Sequence, residues 1–165
     1  MCSFEELKMD LHNFNSYILN LYGHAVESAK YSDLLQKHGS VFIYDGEIIT
    51  GYNHFGFSNK KNCVSVHSEE DAINNFIISY RLRGYDDRYI RKRLKRSILL
   101  TIRIKGDNLR LSAPCDNCLS LIKYYGIKQI MFSINDQEKI CKLKTNNLLS
   151  NRPSSGNRWL ARIQK

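Results

Sequence analysis

Apolar side chains recur at helical spacing in three segments of the chain. The first runs from about 14 to 31, with apolar positions at Phe14, Ile18, Leu21, Tyr22, Ala25, Val26 and Ala29. The second covers 67–80, where the apolar side is formed by Ala72, Ile73, Phe76, Ile77 and Tyr80. The third covers 115–125 and is followed by Gly126, which suits the left-handed position that ends many helices. Each period predicts an amphipathic helix packed on a core.

Short apolar runs between and after these helices predict five strands. Residues 40–44 and 47–52 flank Asp45-Gly46, a strong signal for a two-residue turn, and are expected to form an antiparallel pair. The run 98–104 is apolar enough to be a central strand. Only 135–138 separate the strands predicted over 127–134 and 139–143. Because a parallel crossover needs about a dozen residues or more, these last two strands are expected to form an antiparallel hairpin.

The 165 residues suit a single domain, 1–165, with one core. Three segments stand outside the predicted elements: a polar N-terminal extension at 1–13, a basic insert at 81–97 and a basic C-terminal tail at 145–165. No stretch approaches the ~20 apolar residues that cross a bilayer, so no membrane partner is expected. Five cysteines without an evident disulfide framework indicate a reducing compartment and predict a cytoplasmic protein.

Two short motifs carry the candidate chemistry. H-S-E at 67–69 opens the second helix, and P-C-D-N-C at 114–118 opens the third. A catalytic zinc ion typically keeps three protein ligands and leaves one position to water, whose pKa it lowers to ~7. His67, Cys115 and Cys118 supply three such ligands, and a helix N-terminus favours ionised thiols. Glu69 lies close enough to touch the water and is the natural proton shuttle.

These motifs resemble the signatures of the cytidine deaminase-like zinc hydrolases, in which H-x-E precedes P-C-x-x-C. The resemblance rests on HSEEDA at 67–72 and APCDNC at 113–118. It implies an α/β fold, a three-layer α/β/α sandwich whose mixed five-stranded sheet ends in the antiparallel hairpin. It also implies one catalytic zinc ion whose hydroxide attacks C4 of cytosine in a nucleoside or nucleotide, with Glu69 moving the protons. Some members act on adenine instead.

The resemblance also implies substrate contacts. In similar deaminases an asparagine at the place of Asn53 holds the ribose hydroxyl, and backbone groups at the places of Ser68 and Ala113 hold the cytosine edge. Asn53, an amide at a strand end, equally suits a turn. Similar deaminases are often dimers or tetramers, so a homo-oligomer is expected.

The basic insert leaves the substrate open. Eight of the sixteen residues at 81–96 are Arg or Lys, with Tyr85 and Tyr89 among them, and the net charge is +9. Such a stripe binds single-stranded nucleic acid through phosphate contacts and base stacking. The candidate phosphate or nucleic-acid contacts are Arg88, Arg91, Lys92 and Arg93. The alternative substrate is therefore single-stranded DNA or RNA, whereas a solvated helix packed on Tyr89, Ile90 and Leu94 would need no ligand.

A role outside catalysis also fits part of the pattern. Cys63 lies four residues before His67 and could act as a fourth protein ligand. The site would then be a closed Cys₃His structural centre, and the protein a non-catalytic, zinc-stabilised nucleic-acid-binding module. In that arrangement Glu69 has no chemical role.

Overall fold

The three predicted helices and five predicted strands form in the predicted order along the chain. The computed structural model describes residues 8–10, 16–56, 65–135, 139–150, 152–154, 158 and 161–162. Among them the helices are α1 (Ser16–Lys30), α2 (Ser68–Leu82), α3 (Asp87–Leu94) and α4 (Asp116–Tyr125). The strands are β1 (Lys8–Asp10), β2 (Lys37–Tyr44), β3 (Glu47–Tyr52), β4 (His54–Phe55), β5 (Ser65–Val66), β6 (Ile98–Lys105), β7 (Asn108–Arg110), β8 (Gln129–Ser133) and β9 (Lys139–Lys144). None of the helices in these ranges has the length and hydropathy needed to span a membrane.

The main sheet is mixed. Its strands lie in the order β1-β9-β8-β6-β2-β3, and the short β7 pairs with β6. The β6–β8 pair is parallel, while β8 and β9 form the predicted antiparallel hairpin. The five predicted strands are β2, β3, β6, β8 and β9, so the mixed five-stranded sheet is confirmed. Two short strands extend it, since β1 pairs with β9 from within the predicted N-terminal extension and β7 folds back on β6.

Helices cover both faces of this sheet. On one face α1 buries Leu21 and Ala25 against Val41 of β2 and its neighbours. On the other face Phe42, the next residue of β2, meets Phe76 of α2 with ring centroids 5.3 Å apart. Alternate side chains of a strand point to opposite faces, so one strand serves both cores. The α/β/α sandwich is confirmed.

Asp45 and Gly46 form the turn between β2 and β3. Both have positive φ, at 50° and 79°, and the flanking Tyr44 and Glu47 are directly paired. Positive φ at both central residues is typical of the tight turn that suits the twist of a hairpin. The two-residue turn is confirmed.

The basic insert contains the amphipathic helix α3. The Asp86 side chain accepts a hydrogen bond of 2.7 Å from the backbone N–H of Tyr89 and caps the helix. Ile90 and Leu94 are buried in the core beneath it, and Tyr89 packs against the same cluster. The apolar side of the insert is therefore part of the fold.

Gly51 allows β3 to lie directly against the start of α2. A Cβ at Gly51 would lie 2.2 Å from the backbone nitrogen of Ala72 and 2.8 Å from the carbonyl oxygen of Ser68. We expect Gly51→Ala to displace the first turn of α2 and to lower the free energy of unfolding by about 1–3 kcal/mol, the usual cost of overpacking. Thermal and urea unfolding measure this loss.

Gly23 of α1 is the matched control, because a Cβ there meets nothing within 4 Å. Alanine at this helical position should stabilise the protein by about 0.5–1 kcal/mol. If Gly51→Ala were as stable as Gly23→Ala, the close contact between β3 and α2 would be refuted.

Candidate metal centre

The two sequence motifs meet where α2 and α4 begin. His67 and Cys115 are the N-cap residues of these helices, both in extended backbone conformation, and Cys118 lies in the first turn of α4. His67 was expected within the first turn of its helix and instead lies one residue before it. His67 Nδ1 is 3.5 Å from Cys115 Sγ and 3.2 Å from Cys118 Sγ. The three predicted ligands are thus brought together.

This group fits a zinc ion. One imidazole nitrogen and two sulfurs, all within 4.8 Å of one another, form a Cys₂His donor set that suits tetrahedral zinc. Hydrogen bonds from Cys118 and His67 lower the pKa of Cys115 to about 3, and a thiolate is the form that binds metal. Within the described ranges, His67, Cys115 and Cys118 are the one such group. Cys63 lies outside the described residues.

Glu69 lies beside the three ligands without joining them. Its side chain is 5% exposed and lines the same cavity as His67 and Cys115. Burial raises the pKa of Glu69 above the usual range, and the Ser68 hydroxyl donates a hydrogen bond of 3.3 Å to its Oε2. A carboxyl group with a raised pKa accepts and releases protons nearer neutral pH, as a proton shuttle must.

A chain of buried hydroxyls connects Glu69 to the sheet. Ser40 Oγ donates to Ser68 Oγ over 2.9 Å and lies 2.8 Å from Thr101 Oγ1. All three hydroxyl residues are buried. Sequence reasoning missed this network, although Ser40 and Thr101 are polar residues within or beside apolar strands, which was a visible signal. The network holds the start of α2 against β2 and β6.

A cavity of about 380 Å³ opens beside the metal ligands. This volume lies in the range of small-molecule sites, about 300–1,000 Å³. The predicted site residues that line it are Asn53, His67, Ser68, Glu69, Ala113 and Cys115. The cavity therefore brings the candidate metal ligands, the candidate shuttle and the candidate substrate contacts to one place.

Asn53 organises the wall of this cavity. Its side chain is 6% exposed, Oδ1 accepts a hydrogen bond of 2.7 Å from the His38 N–H, and Nδ2 donates one of 2.6 Å to the Gln36 carbonyl. The amide thus fixes the segment that leads into β2, as a turn residue would. Its contact with a ribose stays a prediction.

Part of the predicted basic tail folds back onto the metal motif. Ser150 Oγ donates to the Pro114 carbonyl at 3.1 Å, and Arg152 Nη2 donates to the Ala113 carbonyl at 3.0 Å. The Asp116 N–H in turn donates to the Arg152 carbonyl at 3.2 Å. These bonds make the segment around residue 152 a wall of the cavity.

The candidate phosphate contacts of the basic insert do not line the cavity. They are Arg88, Arg91, Lys92 and Arg93, all of which the structure describes. The guanidinium carbon of Arg93 lies 4.5 Å from the ring centroid of Tyr44 and 4.9 Å from that of Tyr89, and that of Arg91 lies 4.8 Å from Tyr124. These two arginines contact tyrosines of their own chain. A phosphate or nucleic-acid contact on α3 stays a prediction.

Three other arginines line the cavity: Arg103, Arg152 and Arg158. Sequence reasoning missed them, although Arg103 interrupts the apolar run of β6 and was a visible signal. His38 lies among them. Burial lowers the pKa of His38 to about 4, helped by the positive charges of Arg103, His67 and Arg152. At neutral pH His38 is uncharged, and the arginines supply positive charge to this end of the cavity.

Comparison with known proteins gives a match at the level of structure. Neither the scan against protein-family models nor the search of curated proteins found a match. The cytidine deaminase from Burkholderia pseudomallei superposes with a TM-score of 0.55 at 15% identity, covering 84% of this chain and 99% of that chain. The cytidine deaminase from Mycobacterium tuberculosis gives 0.53 at 14% identity, covering 84% and 98%. The cytidine deaminase from Mycobacterium leprae gives 0.51 at 16% identity, covering 82% and 98%.

The agreement extends over most of each chain. At these identities the likeness bears on the fold alone. The chain has the cytidine deaminase-like fold.

Proposed function

We propose that the protein is a zinc-dependent hydrolytic deaminase that converts cytosine to uracil in a nucleoside or nucleotide. The observation that carries the proposal is the position of Glu69, a buried carboxyl group in the same cavity as His67 and Cys115. A structural zinc site is closed by four protein ligands and needs neither a cavity nor a carboxyl group beside it. The three ligands, the cavity and the carboxyl group together match a hydrolytic site.

Each residue then has one task. His67, Cys115 and Cys118 would hold the zinc ion. When bound, the ion supplies Lewis acidity, which makes water nucleophilic near neutral pH. Glu69 accepts a proton from the attacking water and delivers protons to the ring nitrogen and to the departing amine. Water adds at C4, and the exocyclic amine leaves as ammonia.

The residues of the cavity wall favour a position of the cytosine ring next to the metal ligands. Ser68 and Ala113 flank the ligands on α2 and before α4, and both line the cavity. We propose that their backbone groups hold the cytosine edge, while Asn53 lies nearer the sugar. Because Ser68 is fully buried and Ala113 is held by Arg152, this wall is built before a substrate arrives.

The two alternative functions have weaker support. Deamination of single-stranded DNA or RNA depends on the basic insert, yet its candidate contacts lie outside the cavity. Two other arginines of the insert are engaged in ion pairs, Arg81 with Asp87 and Arg83 with Glu47. A non-catalytic zinc module leaves Glu69 buried beside the ligands without a task.

A screen for released ammonia tests the proposal. The zinc-loaded protein is incubated with cytidine, deoxycytidine, their monophosphates, adenine and guanine nucleosides, and a cytosine-rich oligonucleotide. We expect a cytosine nucleoside or nucleotide to release ammonia and the purine nucleosides to be inert. A null result across the panel would overturn the proposal. If the oligonucleotide alone reacts, and its binding weakens steeply with salt, the polynucleotide alternative is correct.

A further inference from the structure

We infer that the cavity takes a cytosine nucleoside monophosphate, whose phosphate group is held by Arg103 and Arg152. The cytosine part of this inference rests on the proposed function. The phosphate part rests on residues that neither hold the metal nor move protons. It assigns the phosphate to a different set of cations from the one that the basic insert suggests.

Arg103 and Arg152 approach the cavity from distant parts of the chain. Arg103 lies on β6, the central strand, and Arg152 lies in the C-terminal segment that folds back onto the metal motif. Both line the same cavity as Glu69, and the exposed Arg158 lines it as well. The planar guanidinium group presents paired N–H donors that match phosphate oxygens, so two converging arginines form a suitable phosphate site.

The arginines are crowded together, and that arrangement is unfavourable without an anion. Arg103 is paired directly opposite Arg110 in the β6–β7 register. Like charges placed opposite each other on neighbouring strands are destabilising. Burial lowers the pKa of Arg103, and the nearby charges of Arg152 and Arg110 lower it further. A bound dianion would relieve this repulsion.

Internal counter-charges are absent from this cluster, as far as the described ranges extend. No carboxylate among the described residues forms an ion pair with Arg103 or Arg152. The Nε of Arg103 is buried without a hydrogen-bond partner among those residues. Arg152 donates to a neutral acceptor, the Ala113 carbonyl. By contrast, Arg81 and Arg83 on the outer surface have carboxylate partners.

The position of Arg152 links the phosphate end to the base end. Its guanidinium group donates a hydrogen bond to the carbonyl of Ala113, which lies two residues before the candidate metal ligand Cys115. A volume of about 380 Å³ is near the lower end of small-molecule sites, about 300–1,000 Å³, and suits one nucleotide. Because a cavity of this volume accommodates one nucleotide, we place a free nucleotide in it rather than a polymer.

The kinetic test compares each nucleoside with its monophosphate. We expect the wild type to prefer cytidine or deoxycytidine monophosphate over the nucleoside by about tenfold to a hundredfold in kcat/KM, the range for hydrogen bonds to a charged group. Arg152→Gln should remove most of this preference by raising KM for the monophosphate much more than for the nucleoside, whose turnover also falls to the extent that the base wall needs the bond to the Ala113 carbonyl. Lys144→Gln is the control, because it removes one positive charge from an exposed residue outside the cavity lining.

Calorimetric binding of uridine and uridine monophosphate gives a second readout that does not require turnover. The inference is supported if the wild type and Lys144→Gln bind the monophosphate more tightly than the nucleoside, and if Arg152→Gln and Arg103→Gln lose this difference.

Equal binding of the two compounds by the wild type overturns the inference, and deamination of cytidine would then still uphold the proposed function. Phosphate-dependent binding without any ammonia release would overturn the proposed function and leave the phosphate site standing. An oligonucleotide that binds more tightly than the monophosphate and loses that affinity in Arg152→Gln would overturn the assignment to a free nucleotide.

Discussion

Glu69→Ala is expected to abolish deamination while the protein still binds zinc. The substitution removes the carboxyl group from the cavity but leaves His67, Cys115 and Cys118 in place. General acid–base catalysis contributes about 10²–10⁴-fold to a rate, so we expect kcat to fall by at least this factor. Ammonia release measures the activity, and elemental analysis of the purified variant measures the zinc content.

Glu69→Gln is the matched control for volume and packing. It preserves the shape of the side chain but cannot accept a proton from water, so it should be as inactive as Glu69→Ala. Burial raises the pKa of Glu69, which means that ionising this side chain costs free energy in the folded protein. Glutamine carries no charge, so the variant should be at least as stable as the wild type. An active Glu69→Ala or Glu69→Gln protein that binds zinc would refute the shuttle.

Cys118→Ala is expected to lose the zinc ion and, with it, the stability that zinc binding contributes. Cys118 is 1% exposed, and its sulfur lies 3.2 Å from His67 Nδ1 at the centre of the group. Mutating a residue that only hydrogen-bonds to a metal ligand typically lowers metal affinity by ~10–100-fold. Loss of a direct ligand should lower the zinc affinity by more than this. Binding to the folded state alone stabilises it, so a chelator should lower the melting temperature of the wild type but not of the variant. Zinc stoichiometry and thermal unfolding with and without chelator measure both effects.

Cys63→Ser is the companion variant for the metal centre. A site with three protein ligands and one open position does not need Cys63, so this variant should keep its zinc and its activity. If Cys63→Ser lost the metal, the closed Cys₃His alternative would be correct. Cys141→Ser provides a further comparison, since Cys141 is buried in the core on β9, outside the metal group.

Features that depend on neighbouring residues were predictable from the sequence. The turn at Asp45-Gly46 requires positive φ, which Asp and Gly tolerate, and the left-handed Gly126 ends α4 with φ 73°. The β8–β9 hairpin followed from the short connection alone. The three metal ligands were predictable because each motif is a short run of neighbouring residues. Each motif lies at the start of a helix, and in the fold these two helix starts meet.

Features that depend on distant residues were not predictable in this way. The Ala113–Arg152 hydrogen bond joins residues 39 positions apart, and the Ser40–Thr101 contact joins residues 61 apart. In the sequence, Arg152 resembles any solvated cation of a basic tail, because nothing local indicates that the tail returns to the metal motif. Likewise, the aromatic and basic pattern of 81–96 does not reveal that Arg91 and Arg93 contact tyrosines of their own chain. The position of Arg152 beside the metal motif is therefore visible only in the folded structure.

The central claim is that a cytosine nucleoside or nucleotide becomes its uracil counterpart in this cavity. The most direct measurement follows substrate, uracil product and ammonia together by chromatography and ammonia assay, with zinc-loaded wild type and Glu69→Ala side by side. The expected result is uracil product and ammonia in equal amounts from the wild type and neither from the variant. Fully zinc-loaded wild type that forms no uracil product from cytidine, deoxycytidine or their monophosphates would contradict the claim.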